Sequence, residues 1–123
     1  MTVYVDDMRA PLKVGNRTYV MCHMIGDSED ELRAMAAAIG VQLRYHQYQR
    51  TYKSHFDIAM SKRALAVKCG AQEITVYQVA AMVRRRSVTG ALGSPDDAIE
   101  WRDKYSDELK AREAQDRTES AAS

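Results

Sequence analysis

Val3 and Val5 alternate with Thr2 and Tyr4 ahead of Asp6-Asp7, a period of two that predicts a short half-buried strand. Thr18 to Ile25 predicts a second strand, ended by Gly26-Asp27. Gly15-Asn16 is placed to be the tip of a hairpin folding Lys13-Val14 back on Thr18-Tyr19, which leaves the direction of this strand open. The period then changes to that of a helix. Ser28 and Glu31 form a capping pair, Leu32, Met35, Ala36 and Ile39 make one apolar stripe, and Gly40 supplies a stop. Val41, Leu43 and Tyr45 alternate with polar residues and predict a third strand, followed by a polar, aromatic-rich loop of about ten residues.

A second helix is expected from about Asp57 to Cys69, with Ile58, Met60, Ala64, Leu65 and Val67 facing inward and Gly70 ending it. Ile74 to Val76 predicts a brief fourth strand. Val79, Met82 and Val83 mark a third helix that closes on Arg84-Arg85-Arg86, cations that suit a solvated helix end. Past Gly90 the composition shifts. Ser94-Pro95-Asp96-Asp97 is a strong helix start, and Ala98, Trp101, Tyr105 and Leu109 give a narrow stripe that needs a covering surface, either the domain or another subunit. Three regions are expected: an α/β domain over 1–90, an appended amphipathic helix over 91–115, and a disordered tail over 116–123. Strands separated by helices imply right-handed crossovers, hence a small α/β fold whose mixed sheet of about four strands is largely parallel, with helices on both faces.

Size allows one domain, since two separately folded halves of 123 residues would each bury too little. The formal charge of +1 advertises no polyanionic partner. Cys22 and Cys69 lie apart in apolar segments and read as reduced, buried thiols of a cytoplasmic protein. The start MTVYVDD, acidic by its sixth residue and without a long apolar run, is expected to be neither a signal peptide nor a membrane span.

Candidate chemistry gathers where strands end and helices begin. Asp6 and Asp7 are candidate ligands for Mg²⁺ or Mn²⁺, hard cations that take carboxylate oxygens; the plain alternative is two solvated acids, one turned toward Arg9. His23 is a candidate general base with Asp27 as a carboxylate partner, or else a satisfied core histidine beside a capping acid. His55 and Asp57 flank Phe56, so an extended chain puts both on one side, able to share a proton or a metal; Asp57 is equally placed to cap a helix. Arg44, Lys62 and Arg63 are candidate phosphate contacts, the last two near a helix N-terminus. Between Arg44 and Arg63 five basic residues face the single acid Asp57, with Tyr48 and Tyr52 as candidate base-stacking groups. The alternative is a tyrosine-rich loop packed over the core.

The phrases VYVDD, MCHMIGDSEDELRAMAAAIG and HFDIAMSKRALAVKCGAQEIT resemble the domain of unknown function 4031, over roughly residues 1–86. The resemblance implies a small cytoplasmic protein of phage or prophage origin and brings no assigned activity. It also implies His or Asp at the positions of His23, Asp27, His55 and Asp57, and a relative's His where this chain has Arg33.

Phosphate-loop, dinucleotide-fold and nucleophile-elbow patterns are absent from the sequence, as are helix–turn–helix and zinc-finger spacings. The leading expectation is a small enzyme acting on a nucleotide or nucleic-acid phosphate. In it, Asp6 or Asp7 holds a divalent ion, His23 or His55 moves a proton, and Arg44, Lys62 or Arg63 grips the phosphate. The alternatives are a non-catalytic nucleotide- or nucleic-acid-binding protein and an adaptor, possible as a homo-oligomer, that acts through the C-terminal helix. No membrane partner is expected.

Overall fold

In the computed structural model, which describes residues 1–122, the sheet is built on one ten-residue strand, β3 (Arg17–Gly26). Two strands share one edge of it. β2 (Ala10–Val14) pairs antiparallel with its first half, and β1 (Val3–Val5) pairs antiparallel with its last half. Gly15, at a φ of 60°, turns the β2–β3 hairpin, which settles the direction that the sequence leaves open. The other edge of β3 takes β4 (Phe56–Ala59), again antiparallel, while β5 (Gln72–Glu73) runs parallel to β1.

The class is α/β as expected, with helices on both faces, but the sheet is mostly antiparallel. β1–β5 is the parallel pair among the described residues. The physical reason lies after the first helix. Val41–Tyr45 does not return to the sheet as a strand; Leu43–Tyr45 is one 3₁₀ turn, and the chain re-enters later as antiparallel β4. The brief strand expected at Ile74–Val76 falls two residues earlier, because Ile74 is buried under the next helix and Thr75 caps it.

Alternation along β3 and β4 divides the interior. Cys22, Met24, Phe56 and Ile58 face a core closed by α1 (Glu29–Ala38) and α2 (Met60–Lys68), through residues such as Leu32, Ala36 and Ala66. Tyr4 and Ile25 face a second core under α3 (Val76–Thr89) and α4 (Ala98–Ala122), with Val79, Met82 and Ala98. Ser28 caps α1 by accepting the Glu31 N–H at 3.2 Å, and its hydroxyl donates to the Glu31 carboxylate. The fully reciprocal capping box belongs to α3, between Thr75 and Gln78.

Four local expectations change. The second helix starts at Met60 instead of Asp57, so its phase shifts and Ala64 and Leu65 face outward. Cys69 is exposed while Cys22 is buried. The Arg84–Arg86 run is not simply solvated. Arg85 is buried, pairs with Asp97 at 3.1 Å and lies under the Trp101 ring, and Arg86 is half-buried. The Trp101 and Tyr105 stripe therefore meets the arginines of α3, since Arg84 stands over the Tyr105 ring. The stretch 116–122, expected to be disordered, continues α4 with its described side chains exposed; residue 123 of that tail lies outside the described residues. No helix among the described residues is long and apolar enough to cross a membrane.

Candidate functional site

Between the last paired residue of β1, Val5, and the first of β2, Ala10, the chain leaves the edge of β3, and the gap falls beside Cys22 and His23. Asp6 fills it. Its N–H donates to the His23 carbonyl at 3.1 Å, and its Oδ1 accepts the His23 backbone N–H at 2.9 Å. The carboxylate thus takes the place of a strand carbonyl. Its other oxygen, Oδ2, accepts from the His23 ring Nδ1 at 2.7 Å. Asp6 is fully buried, with Oδ1 also accepting the Met8 N–H at 3.3 Å. That hydrogen bond raises the His23 pKa against the opposing effect of burial, helped by the charges of Asp6 and Asp57.

Antiparallel register places Asp57 directly across from His23, and the two-residue period puts His55 on the same face as Asp57. The His23 and His55 rings meet edge to face at 5.6 Å. Their Nε2 atoms lie 3.9 and 3.5 Å from Asp57 Oδ1, respectively. His55 is oriented from behind, its Nδ1 donating to the Lys53 carbonyl at 2.6 Å. Asp57 is steadied through Oδ2, which accepts from the Gln47 amide at 2.8 Å. Its Oδ1 is buried without a hydrogen-bond partner.

This trio borders two openings on one face of the sheet. A groove of about 320 Å³ lies between His23, His55, Tyr48 and Lys53 and the aliphatic side of α3, formed by Val76, Val79 and Val83. A wider one of about 590 Å³ is bounded by Asp57, Arg44, Tyr45 and the apolar hairpin face of Leu12, Tyr19 and Met21. Tyr48 stacks on His55 at 5.9 Å, and Lys53 Nζ stands 5.4 and 5.7 Å from the Tyr48 and Tyr52 ring centres. Tyr48 and Arg50 hold left-handed φ values of 51° and 60°, a strained conformation for residues other than glycine.

Of the residues singled out in the sequence, Asp6, His23, His55 and Asp57 come together, with Tyr48 beside them. The others do not join them. Asp7 turns away from Asp6 and its carboxylate accepts the Val76 N–H at 2.7 Å, serving the start of α3, so the two acids do not converge on one ion. Asp27 accepts the Thr2 N–H at 2.8 Å and makes no contact with His23. Arg63 donates to the Asp6 carbonyl at 2.8 Å and to Glu73 at 2.9 Å, bracing the site from the side of the sheet. Lys62 lies against Gly40 at the end of α1. Arg44 donates to the Tyr45 hydroxyl at 3.0 Å on the rim of the wider groove. Tyr52 borders a separate cavity with Arg86 and Glu29.

Supporting groups missed in the sequence include Gln47 and the Lys53 carbonyl, whose roles follow from the bend of the loop and leave no periodic signal. His46 was missed as well. Arg33 donates to its Nδ1 at 3.0 Å, which sets the proton on Nε2, donated to Ser54 Oγ at 2.7 Å. Glu29 lies 3.4 Å from the same Nε2. Burial lowers the His46 pKa, and the nearby Arg33 and His55 push the same way against Glu29. Arg86 completes the support by donating to the Tyr52 and Ser54 carbonyls at 2.7 and 3.1 Å.

A family model described as a protein of unknown function, DUF4031, matches residues 3–86. The chain belongs to this family. No curated protein and no solved structure matches it. The DUF4031 match spans β1 through Arg86, and so takes in every residue of the trio and of its support, whereas η2 (Pro95–Asp97) and α4 lie beyond it.

Proposed function

We propose that this protein is a small enzyme that hydrolyses a phosphate ester of a nucleotide or nucleic acid, with His23, His55 and Asp57 as its reactive centre. The single observation that carries the reading is the meeting of two imidazole Nε2 atoms at one unpartnered carboxylate oxygen beside a groove. Strongly arranged titratable groups of this kind, in a cleft, are characteristic of reactive centres. The groove suits such a substrate at both ends. Tyr48 offers a face for a base, Lys53 a positive charge for phosphate, and Val76, Val79 and Val83 an apolar wall. Hydrolysis adds water across a P–O bond: the water oxygen bonds phosphorus, and the ester oxygen leaves carrying a proton. Asp6 and the Lys53 carbonyl keep the two rings aimed throughout. A cytoplasmic setting fits the two free thiols.

The test is turnover of bis-p-nitrophenyl phosphate and of 2′,3′-cyclic nucleotides by the full chain. His55→Ala and Asp57→Asn are expected to lower the rate by about 100-fold or more with circular dichroism unchanged. Rates equal to wild type in both variants would remove the reading.

A second reading, nucleotide binding without turnover, is favoured by one feature: Lys53 lies near the rings of both Tyr48 and Tyr52, which are exposed. It requires binding that falls with salt and with Tyr48→Ala, while Asp57→Asn leaves it intact.

A further inference from the structure

The hydrogen bonds around the trio specify which ring atoms carry lone pairs. Nδ1 of His23 donates to a carboxylate and Nδ1 of His55 to a backbone carbonyl, so each neutral ring presents its lone pair at Nε2. Both lone pairs face Asp57 Oδ1, an acceptor that no donor reaches. With both rings neutral, three acceptors turned on one another are mutually repulsive unless a proton or a metal cation stands among them.

We infer that His23 Nε2, His55 Nε2 and Asp57 Oδ1 form the three-ligand site of one divalent transition-metal ion of the Zn²⁺ class. Its remaining coordination position opens toward the groove. The inference rests on the proposed hydrolysis only for what the ion does there, which is to acidify a bound water. Two imidazoles and a carboxylate suit borderline cations better than Mg²⁺, which prefers an all-oxygen shell. The surroundings match such a site. Metal-bound histidines hand their second N–H to a carboxylate or a carbonyl, which is what Asp6 and Lys53 accept here. Gln47 occupies Asp57 Oδ2 and leaves Oδ1 as a single-oxygen ligand.

Spacing is the point to be met. Ligand atoms around a tetrahedral ion with bonds of about 2.0–2.1 Å lie roughly 3.3 Å apart. The 3.5 and 3.9 Å separations are wider, and no three such side chains among the described residues form a ready metal-binding group. The outer torsion of an aspartate is soft, and reaching that spacing takes shifts of roughly 0.2 and 0.6 Å in the two separations.

The experiment uses the full chain after dialysis against a chelator, titrated with Zn²⁺ alone and with Co²⁺ alone. One ion per chain is expected, with the visible absorption of four- or five-coordinate Co²⁺. At a free ion concentration about 100 times the dissociation constant, Tm should rise by roughly ten degrees. His55→Ala and the isosteric Asp57→Asn should each weaken binding by about 100-fold or more, while Asp7→Asn should not. Equal affinity in wild type and both site variants, or no binding at about millimolar ion, overturns the inference. Turnover that survives chelation yet needs both histidines also overturns it and leaves the enzyme reading standing. Stoichiometric binding that needs the trio, without phosphoester turnover, sustains the site and removes the enzyme reading.

Discussion

Asp6 holds His23 by two different atoms at once, the ring Nδ1 through Oδ2 at 2.7 Å and the backbone N–H through Oδ1 at 2.9 Å. One buried side chain therefore closes the gap in the strand pairing and also chooses the tautomer of the ring. Asp6→Asn separates the two duties. Its carbonyl oxygen still accepts the backbone N–H, but its amide presents a donor to Nδ1, which moves the ring proton to Nε2. The expected result is a folded protein whose turnover falls by about 100-fold or more. Nitrogen-15 spectra of the imidazole should report the changed tautomer. Asp6→Ala, which leaves the His23 N–H unsatisfied in the interior, should lower stability by about 1–3 kcal/mol in urea unfolding.

His46 makes stability depend on pH. Burial, with Arg33 and His55 nearby, depresses its folded pKa below the unfolded value of about 6.5, while Glu29 opposes. The unfolded chain therefore binds the proton more readily. The contribution is fully present above about pH 6.5 and is lost as pH falls through the lowered folded value. Tm should decline as pH falls from about 6.5 to 5, while His23, whose pKa is raised, acts in the opposite sense above that window. His46→Gln, which keeps a donor for Ser54 and an acceptor for Arg33, should lessen the decline; an identical pH slope in the variant would count against this origin.

Gly93 gives the junction before α4 its shape. It sits at a φ of 69°, and a Cβ there would run into the Arg85 guanidinium. Gly93→Ala should therefore displace Arg85 from Asp97 and Trp101, at a cost of about 1–3 kcal/mol in urea unfolding. The same substitution at the hairpin's Gly15 meets nothing within 4 Å, so its cost is the backbone conformation alone.

The far half of α4 contributes little to the fold. From Lys110 to Ala121 every side chain is exposed, whereas Trp101, Tyr105 and Leu109 are partly buried. Truncation after Lys110 should move Tm by no more than about two degrees, while truncation after Gly90, which also removes buried Leu92 and Ala98, should destabilise strongly. Calorimetry of the two shortened chains checks this.

Features decided between near neighbours were legible in the sequence by itself. Ser28 capping α1, Gly15-Asn16 at a turn, a short strand at Val3–Val5 (though buried on both faces and not on one), and His55 on the same side as Asp57 all follow from contacts a few residues apart. The tertiary structure alone decided what depends on distant partners. Val41, Leu43 and Tyr45 have the alternation of a strand, yet they join no strand of the sheet, and Leu43–Tyr45 forms a 3₁₀ turn. Asp7 and Arg63 have the chemistry for a ligand, yet the N-terminus of α3 and the carbonyl of Asp6 engage them. His23 meets Asp57 only through the register of β3 on β4. That register is set by burying Cys22, Met24, Phe56 and Ile58 together, a choice made by whole faces of the sheet and written in no single segment.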